Sequence, residues 1–484
     1  MGYENATTPA LDALAAHGVV FERAFASAPI TLPSHTTMLT GLDPNRHGVH
    51  DNGLFVAPPS LETVTERLDA LGYDTAAFVS AFVLDSSFGL DQGFDLYDDF
   101  TPQHSQLIRS TVPRRDGRDT TETALAWLRR GRSAPFFLWV HYFDVHRPRI
   151  APSPFDAYAD SYDGAVAYVD SLLGRLLAGV EQAAGERGTL VIVVADHGEG
   201  LGEHDEATHG IVAYDSTLHV PLIVAGPGFA GGGRSRAFAR TADIGPTILA
   251  AVGDSPLPAV DGHPLQSALA DGSGSEIVGY FETFLSEFNM GWARIGGVRT
   301  ERWKYTAEPR PVELYDILVD PWETMNLADQ EPEVIARLDA IYAKVRTGSE
   351  PEARAPETSL EAAEKLRSLG YVSAPMDFPP DRAPDPRRFV GLNGRIEDMG
   401  TVAAEVGVAG AIRSLEQLID EEPIGRPLAL RRLGRLYLLA DRKDDCIRTA
   451  RELAVLIGTV ESRLELASRL LELGRPNEAL DEIA

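Results

Sequence analysis

Two short stretches of the chain gather groups that bind cations and move protons. One is Trp139-Val140-His141-Tyr142-Phe143-Asp144-Val145-His146. The other is Asp196-His197-Gly198-Glu199, followed by His204 and Thr208-His209-Gly210. Six of the twelve histidines fall between residues 141 and 219. A lone histidine is usually structural, but this crowding favours metal or proton-transfer chemistry. An Asp-His pair offers a cation one hard oxygen and one imidazole, and the glycine behind it permits close backbone approach. The plainer alternative makes Asp196 a helix cap and His197 a polar bystander. A third stretch runs from Ile30-Thr31-Leu32-Pro33-Ser34-His35 to Thr40-Gly41. Pro33 suits a first helical turn and Gly41 a C-terminal cap. Thr31 then lies at or near a helix N-terminus, where unpaired N–H groups and the dipole favour an anion or an alkoxide. Taken alone, Thr31 reads more simply as an N-cap.

These groups need elements to hold them. Thr75 to Ser80, Phe136 to Val140, Thr189 to Ala195 and Leu222 to Ala225 are short apolar runs without polar alternation. Each reads as a strand buried on both faces, as in parallel sheets sandwiched by helices. Amphipathic stretches such as Asp119 to Arg130 and Asp163 to Leu177 lie between them. The fold class is therefore α/β, and both histidine-rich stretches leave the carboxyl ends of strands, where ligands collect in such sheets. Within residues 1–345, Ile277 to Phe281, Trp292 to Val298 and Trp303 to Tyr305 predict a small antiparallel subdomain at about 277–327. Residues 346–394 have a linker composition rich in proline and charge, although Leu360 to Leu369 could be helical. From 395 to 484 the pattern is helical. Ala411-Ile412, Cys446-Ile447 and Ala479-Leu480 recur at offsets of 35 and 33, which resembles the ~34-residue tetratricopeptide repeat.

Composition narrows the function classes. The 484 residues carry 44 Lys and Arg against 72 Asp and Glu, a net charge of −28, which excludes a nucleic-acid backbone as the expected partner. The single cysteine, Cys446, excludes an internal disulfide framework and a cysteine-rich zinc module. No run reaches the ~18 apolar residues of a membrane span.

Together and in this order, the motifs resemble the sulfatase branch of the alkaline phosphatase superfamily, over residues 3 to about 330. Thr8 to Ala15 resembles its opening helix, and Thr31-Leu32-Pro33-Ser34-His35 through Leu42-Asp43-Pro44-Asn45-Arg46-His47-Gly48 resembles its nucleophile segment. Asp196-His197-Gly198-Glu199 resembles its metal motif. Tyr214 to Pro221 and Glu313-Leu314-Tyr315-Asp316 through Leu327 resemble its later signatures. The resemblance implies an alkaline-phosphatase-like, mostly parallel sheet flanked by helices and a divalent metal ion, Ca²⁺, Mn²⁺, Mg²⁺ or Zn²⁺. It implies metal ligands at Asp196, His197 and Thr31. His146 and His209 would hold non-bridging oxygens or protonate the leaving group.

The sequence also departs from the pattern. A sulfatase nucleophile is a formylglycine made from cysteine or serine at the position of Thr31, and threonine cannot give that aldehyde. His35 replaces the arginine of the motif. The expected Lys-x-His pair is absent, with Ser80-Ala81-Phe82 standing there. A threonine nucleophile beside an Asp-His-Gly-Glu motif instead resembles the family's phosphotransferases and phosphodiesterases. The leading expectation is thus cleavage of phosphate (di)esters through Thr31 as a metal-activated alkoxide. The substrate would be a small-molecule, lipid or sugar ester. The alternative is a sulfuric ester hydrolase. An alternative of another class is an inactive, truncated relative acting as a scaffold for a protein partner through its helical repeats. The resemblance further implies a first strand with one or two acidic metal ligands, ahead of the Gly2-Tyr3-Glu4-Asn5 segment at which this sequence opens. An address or anchor would precede that strand, so the compartment stays open. His141, Asp144 and His204 are expected either to serve a second metal or to line the pocket. Asp243 is expected to cap a helix, and Lys304 to pack beside Trp303 and Tyr305.

Overall fold

The structure, a computed structural model, describes residues 7–99, 114–131, 133–158, 161–229, 231–270, 277–346, 378–379 and 382–483. Twelve strands are seen among them: β1 (Val19–Phe25), β2 (Asp74–Phe78), β3 (Leu96–Asp98), β4 (Phe136–Val140), β5 (Val191–Val194), β6 (His219–Val220), β7 (Leu222–Ala225), β8 (Gly233–Arg240), β9 (Gly279–Thr283), β10 (Ile295–Arg299), β11 (Trp303–Glu308) and β12 (Glu313–Asp316). The four expected apolar runs are β2, β4, β5 and β7. Strands β3, β2 and β4 form a parallel sheet in that order. A second, mixed sheet has the order β5-β7-β1-β6, with β8 parallel to β1. A third sheet, β12-β11-β10-β9, is antiparallel throughout and is the small subdomain expected near 277–327.

Helices cover the parallel sheet as its apolar run requires. Gly117–Leu128 and Ser161–Ala184 pack Ala124, Leu125, Trp127, Leu128 and Leu176 against Ala76 and Phe78 of β2. Burying each such leucine is worth roughly 1.5–3 kcal/mol. Asp170 on the long helix accepts the N–H groups of Ala10 and Leu11 at 3.0 and 2.9 Å, fixing the start of helix Pro9–His17.

One expectation needs correction. Strands β4 and β5 were read as buried on both faces, yet every residue of each is only half-buried. Among the described residues β4 pairs only with β2, and β5 only with β7. Each strand therefore keeps an open lateral edge, and an apolar strand at an open edge cannot bury its full surface. Their carboxyl ends nevertheless meet, as the site below shows.

Beyond residue 346 the proposed linker is mostly outside the described residues, including Leu360 to Leu369. Its last part is structured, because helix Val390–Glu397 starts before residue 394. Helices 399–406, 408–421, 426–439, 443–457, 460–472 and 476–483 follow. Ala411, Cys446 and Ala479 occupy equivalent, fully buried places, whereas Leu480, the counterpart of Ile412 and Ile447, is exposed. Among the described residues no helix is long and apolar enough to cross a membrane.

Candidate functional site

The site is assembled on the helix Thr31–Thr40, all ten residues of which are buried. Such a helix must satisfy its hydroxyls internally. Thr36 and Thr40 donate to the carbonyls of Leu32 and Thr36, four residues back, at 2.8 and 2.7 Å. Thr37 Oγ1 lies 3.0 Å from His47 Nε2. Gly41 ends the helix at φ +69°, a left-handed cap that glycine adopts without strain. Thr31 is the exception, since its buried Oγ1 has no hydrogen-bond partner. It is the first helical residue and not the N-cap, which is Ile30. Asn52 Oδ1 instead takes the Leu32 N–H at 2.8 Å. The simple capping role is therefore not what Thr31 does, and an unpaired buried hydroxyl at a helix N-terminus is costly unless a ligand uses it.

Two strand ends converge on this helix. The His141 N–H donates to the Phe78 carbonyl at 2.9 Å, one step beyond the β2–β4 register, and so fixes where the ring leaves β4. After β5, the Gly198 N–H donates to the Thr217 carbonyl at 2.7 Å. A Cβ on Gly198 would stand 2.4 Å from the Ser216 carbonyl oxygen, so only glycine lets the Asp196-His197 loop lie this close. Ser34 Oγ donates to the Asp196 carbonyl at 2.6 Å and ties the loop to the Thr31 helix. Asp196 caps no helix. Its Oδ2 lies 3.7 Å from His35 Nδ1 and 3.5 Å from His197 Nε2.

The imidazoles form two contact groups with Asp196 between them. The His35 and His141 ring centroids are 5.1 Å apart, those of His146 and His209 5.2 Å, and those of His197 and His209 4.1 Å. Nδ1 of His35, His146 and His197 lies 2.9, 2.6 and 2.8 Å from the carbonyl oxygens of Thr31, Arg147 and Gly198. A carbonyl only accepts, so in each neutral ring Nδ1 carries the hydrogen and Nε2 the lone pair. Pinning of one ring nitrogen in this way is the usual setting of a metal-binding or basic histidine.

Electrostatics separate the rings. Burial pushes His146 down to about 3, helped by the charge of His209, and pushes His141 down to about 3, helped by His35. Burial also lowers His197. His209 behaves oppositely: burial opposes its charge, but Glu199 Oε2 at 3.4 Å outweighs this and raises it. Glu199 is lowered, because His209 overcomes the opposing effect of burial. Asp196 is also lowered, as His197, His35 and His141 together outweigh burial. The arrangement thus favours an anionic Asp196, keeps His146 neutral, and through Glu199 favours the charged form of His209.

In the structure Thr31 connects through His35 to Asp196, and Asp196 through His197 to His209 and His146. The structure adds His35 and, of the three further candidates, draws in His141: one ligand atom each from His35, His141 and Asp196 lies within 4.8 Å of the other two. His35 was noted only as a replaced arginine. The signal was its place one helical turn after Thr31, on the same face. Asp144 and His204 take no part. Asp144 Oδ1 accepts the Gly117 N–H at 3.0 Å, and His204 stacks on Tyr214 at 3.6 Å and reaches the Trp322 carbonyl at 3.0 Å. Asp243 makes no capping bond to the helix that follows it. It instead accepts from the Arg240 N–H at 2.8 Å and from the Arg240 guanidinium at 2.9 Å. Lys304 is buried between Asp215 at 3.0 Å and Glu323 at 2.7 Å, bridging the antiparallel sheet to the main body.

A family model described as Sulfatase matches residues 1–254, more than half of the chain. The chain belongs to the sulfatase family. This sulfatase-family hydrolase is 25% identical to mouse arylsulfatase K over 417 residues, covering 68% of this chain and 73% of the relative. It is 22% identical over 438 residues to the Δ4,5-hexuronate-2-O-sulfatase of Bacteroides thetaiotaomicron, covering 77% and 90%. Among solved structures it shares its fold with the phosphonate monoester hydrolase of Agrobacterium radiobacter (TM-score 0.59, 22% identity, 71% of this chain and 92% of the other). It also shares it with Ps i-CgsB bound to a neocarrahexaose (TM-score 0.62, 18% identity, 76% and 93%). The residues gathered here fit a divalent metal, because His141, whose buried Nδ1 has no partner, and His35 cluster with the carboxylate of Asp196.

Proposed function

We propose that this sulfatase-family hydrolase cleaves sulfate esters with Thr31 as nucleophile. The observation that carries the reading is the buried, partnerless Thr31 hydroxyl on a helix that also presents His35 to Asp196. The relatives named as sulfatases supply the ester class and turn the leading sequence-based expectation, a phosphate (di)ester, into the second reading. Asp196 and His197 would hold a divalent cation, whose charge would favour the deprotonated form of the Thr31 hydroxyl. Thr31 Oγ1 bonds to the ester sulfur as the sulfur–oxygen bond to the alcohol breaks. The Thr31 proton passes to His146, which burial keeps neutral, and His209 gives its proton to the departing alkoxide. Water then attacks the threonyl sulfate, His209 takes its proton, and Thr31 recovers its own from His146 as sulfate leaves. Phosphate esters are favoured by one feature, the threonine itself, since it cannot become the aldehyde that sulfatases of the resembled type use.

The test is turnover of nitrophenyl sulfate against bis-nitrophenyl phosphate by the full, metal-supplemented chain. Faster Thr31-dependent sulfate release supports the first reading, and faster diester cleavage supports the second. The helical pairs after residue 395 we assign to a separate, tetratricopeptide-like unit for protein contact. This is supported by the equivalent burial of Ala411, Cys446 and Ala479.

A further inference from the structure

The proposed reaction leaves two groups unused. His35 and His141 have no role as nucleophile, acid or base, yet both are buried beside Asp196. His141 Nδ1 is fully buried and makes no hydrogen bond. A polar nitrogen in that position loses its hydration and receives nothing in return unless a ligand uses its lone pair. His35 is prepared in the complementary way, with Nδ1–H held by the Thr31 carbonyl at 2.9 Å and its lone pair on Nε2.

We infer that His35 and His141 join Asp196 in holding the cation of the proposed reaction, in a nitrogen-rich site for a borderline d-block cation of the Zn²⁺ class, and not for Ca²⁺ or Mg²⁺. The donor set decides the class. A hard cation seeks six or more oxygens, and this cluster offers one carboxylate between two imidazoles. Two imidazoles and a carboxylate with a further position open is a zinc-type set. Thr31, the residue whose carbonyl orients His35, stands next to the site with its hydroxyl unpartnered. The ligand atoms lie within 4.8 Å of one another. Tetrahedral bonds of ~2.0–2.1 Å place donors about 3.4 Å apart, so the three side chains draw inward on binding. Residues just beyond the ends of β4 and β5 and on the Thr31 helix then share one ion, which joins two strand ends that do not pair with each other among the described residues.

This inference rests on the hydrolase reading for the ion's purpose, but its test reads the metal itself. The full chain is stripped with chelator, dialysed against Zn²⁺ in the presence of excess Ca²⁺, and assayed for bound metal. Co²⁺ loading is followed by its visible absorption. Expected are about one Zn²⁺ per chain despite Ca²⁺, and a Co²⁺ band of low-coordinate type. Occupancy at limiting Zn²⁺ should fall at least about tenfold in His35→Leu and in His141→Leu. Near-ultraviolet circular dichroism checks that these variants fold, and the wild-type Co²⁺ spectrum decides the matter if they do not. Displacement of Zn²⁺ by Ca²⁺, or undiminished binding in both folded variants, overturns the inference. An enzyme that hydrolyses esters with Ca²⁺ alone would refute this site and keep the proposed function. Tight Zn²⁺ binding without any hydrolysis would do the reverse.

Discussion

Replacing His209 by glutamine separates its chemical role from its structural one. Gln retains a donor for Glu199, which lies 3.4 Å from His209 Nδ1 in a pocket where both side chains are almost fully buried. The pocket thus keeps its hydrogen bond and loses only the transferable proton. General acid catalysis contributes about 10²–10⁴ in rate, and each decade corresponds to ~1.36 kcal/mol of barrier. The size of the loss depends on the leaving group. An alkyl or sugar alkoxide must be protonated as it departs, so kcat/KM for such an ester should fall by roughly 10²–10⁴. A nitrophenolate leaves without help, so its ester should lose less than about tenfold. The assay is steady-state kinetics of His209→Gln on a matched alkyl and nitrophenyl pair. Equal losses on both substrates would mean that His209 positions or binds. No loss on either would remove it from the mechanism.

Asp196→Asn should abolish tight metal binding, because it removes the only carboxylate of the cluster, and metal analysis of the purified variant checks this. Lys304→Met should lower stability by about 3–5 kcal/mol by leaving buried Glu323 without its cation, while Asp215 keeps Arg299. Burial pushes Glu323 up against the pull of Lys304, so it can take a proton. The loss, read by denaturant unfolding, should therefore be smaller at acid than at alkaline pH. Asp144 is raised by burial to about 7, above its unfolded value. Its contribution is fully present below about pH 4 and is lost as pH rises through about 7, amounting to roughly 2–4 kcal/mol. Asp144→Asn should flatten that part of the stability profile, since Oδ1 keeps the Gly117 N–H and the amide replaces the protonated oxygen.

The apolar runs that became β2, β4, β5 and β7 were legible because continuous Val, Ile, Leu and Phe leave few other readings. Strand β8 was not, because Gly233-Arg234-Ser235-Arg236 is an exposed edge whose arginines pair with Glu22 of β1, a contact between residues distant in sequence. Thr31, Asp196, His146 and His209 stand out in the sequence through their motifs. The place of His35 beside Asp196 was not legible, since it depends on the Asp196 loop being tied to the same helix through Ser34. Asp144 and His204 looked equivalent to His141 in sequence. Only the packing separates them: Asp144 holds a backbone N–H, and His204 faces Tyr214. The ion pairs of Lys304 were not legible either, as Asp215 opens a short helix before the antiparallel sheet and Glu323 follows that sheet.

The central claim is that Thr31 becomes covalently attached to the transferred group. The direct measurement is rapid quench of the metal-loaded chain with an ester carrying radiolabelled sulfur, followed by peptide mapping. The account predicts label on the peptide containing Thr31, appearing and decaying within the turnover time, and none in Thr31→Ala. Steady hydrolysis with no label on the protein, together with an undiminished rate in Thr31→Ala, would contradict it.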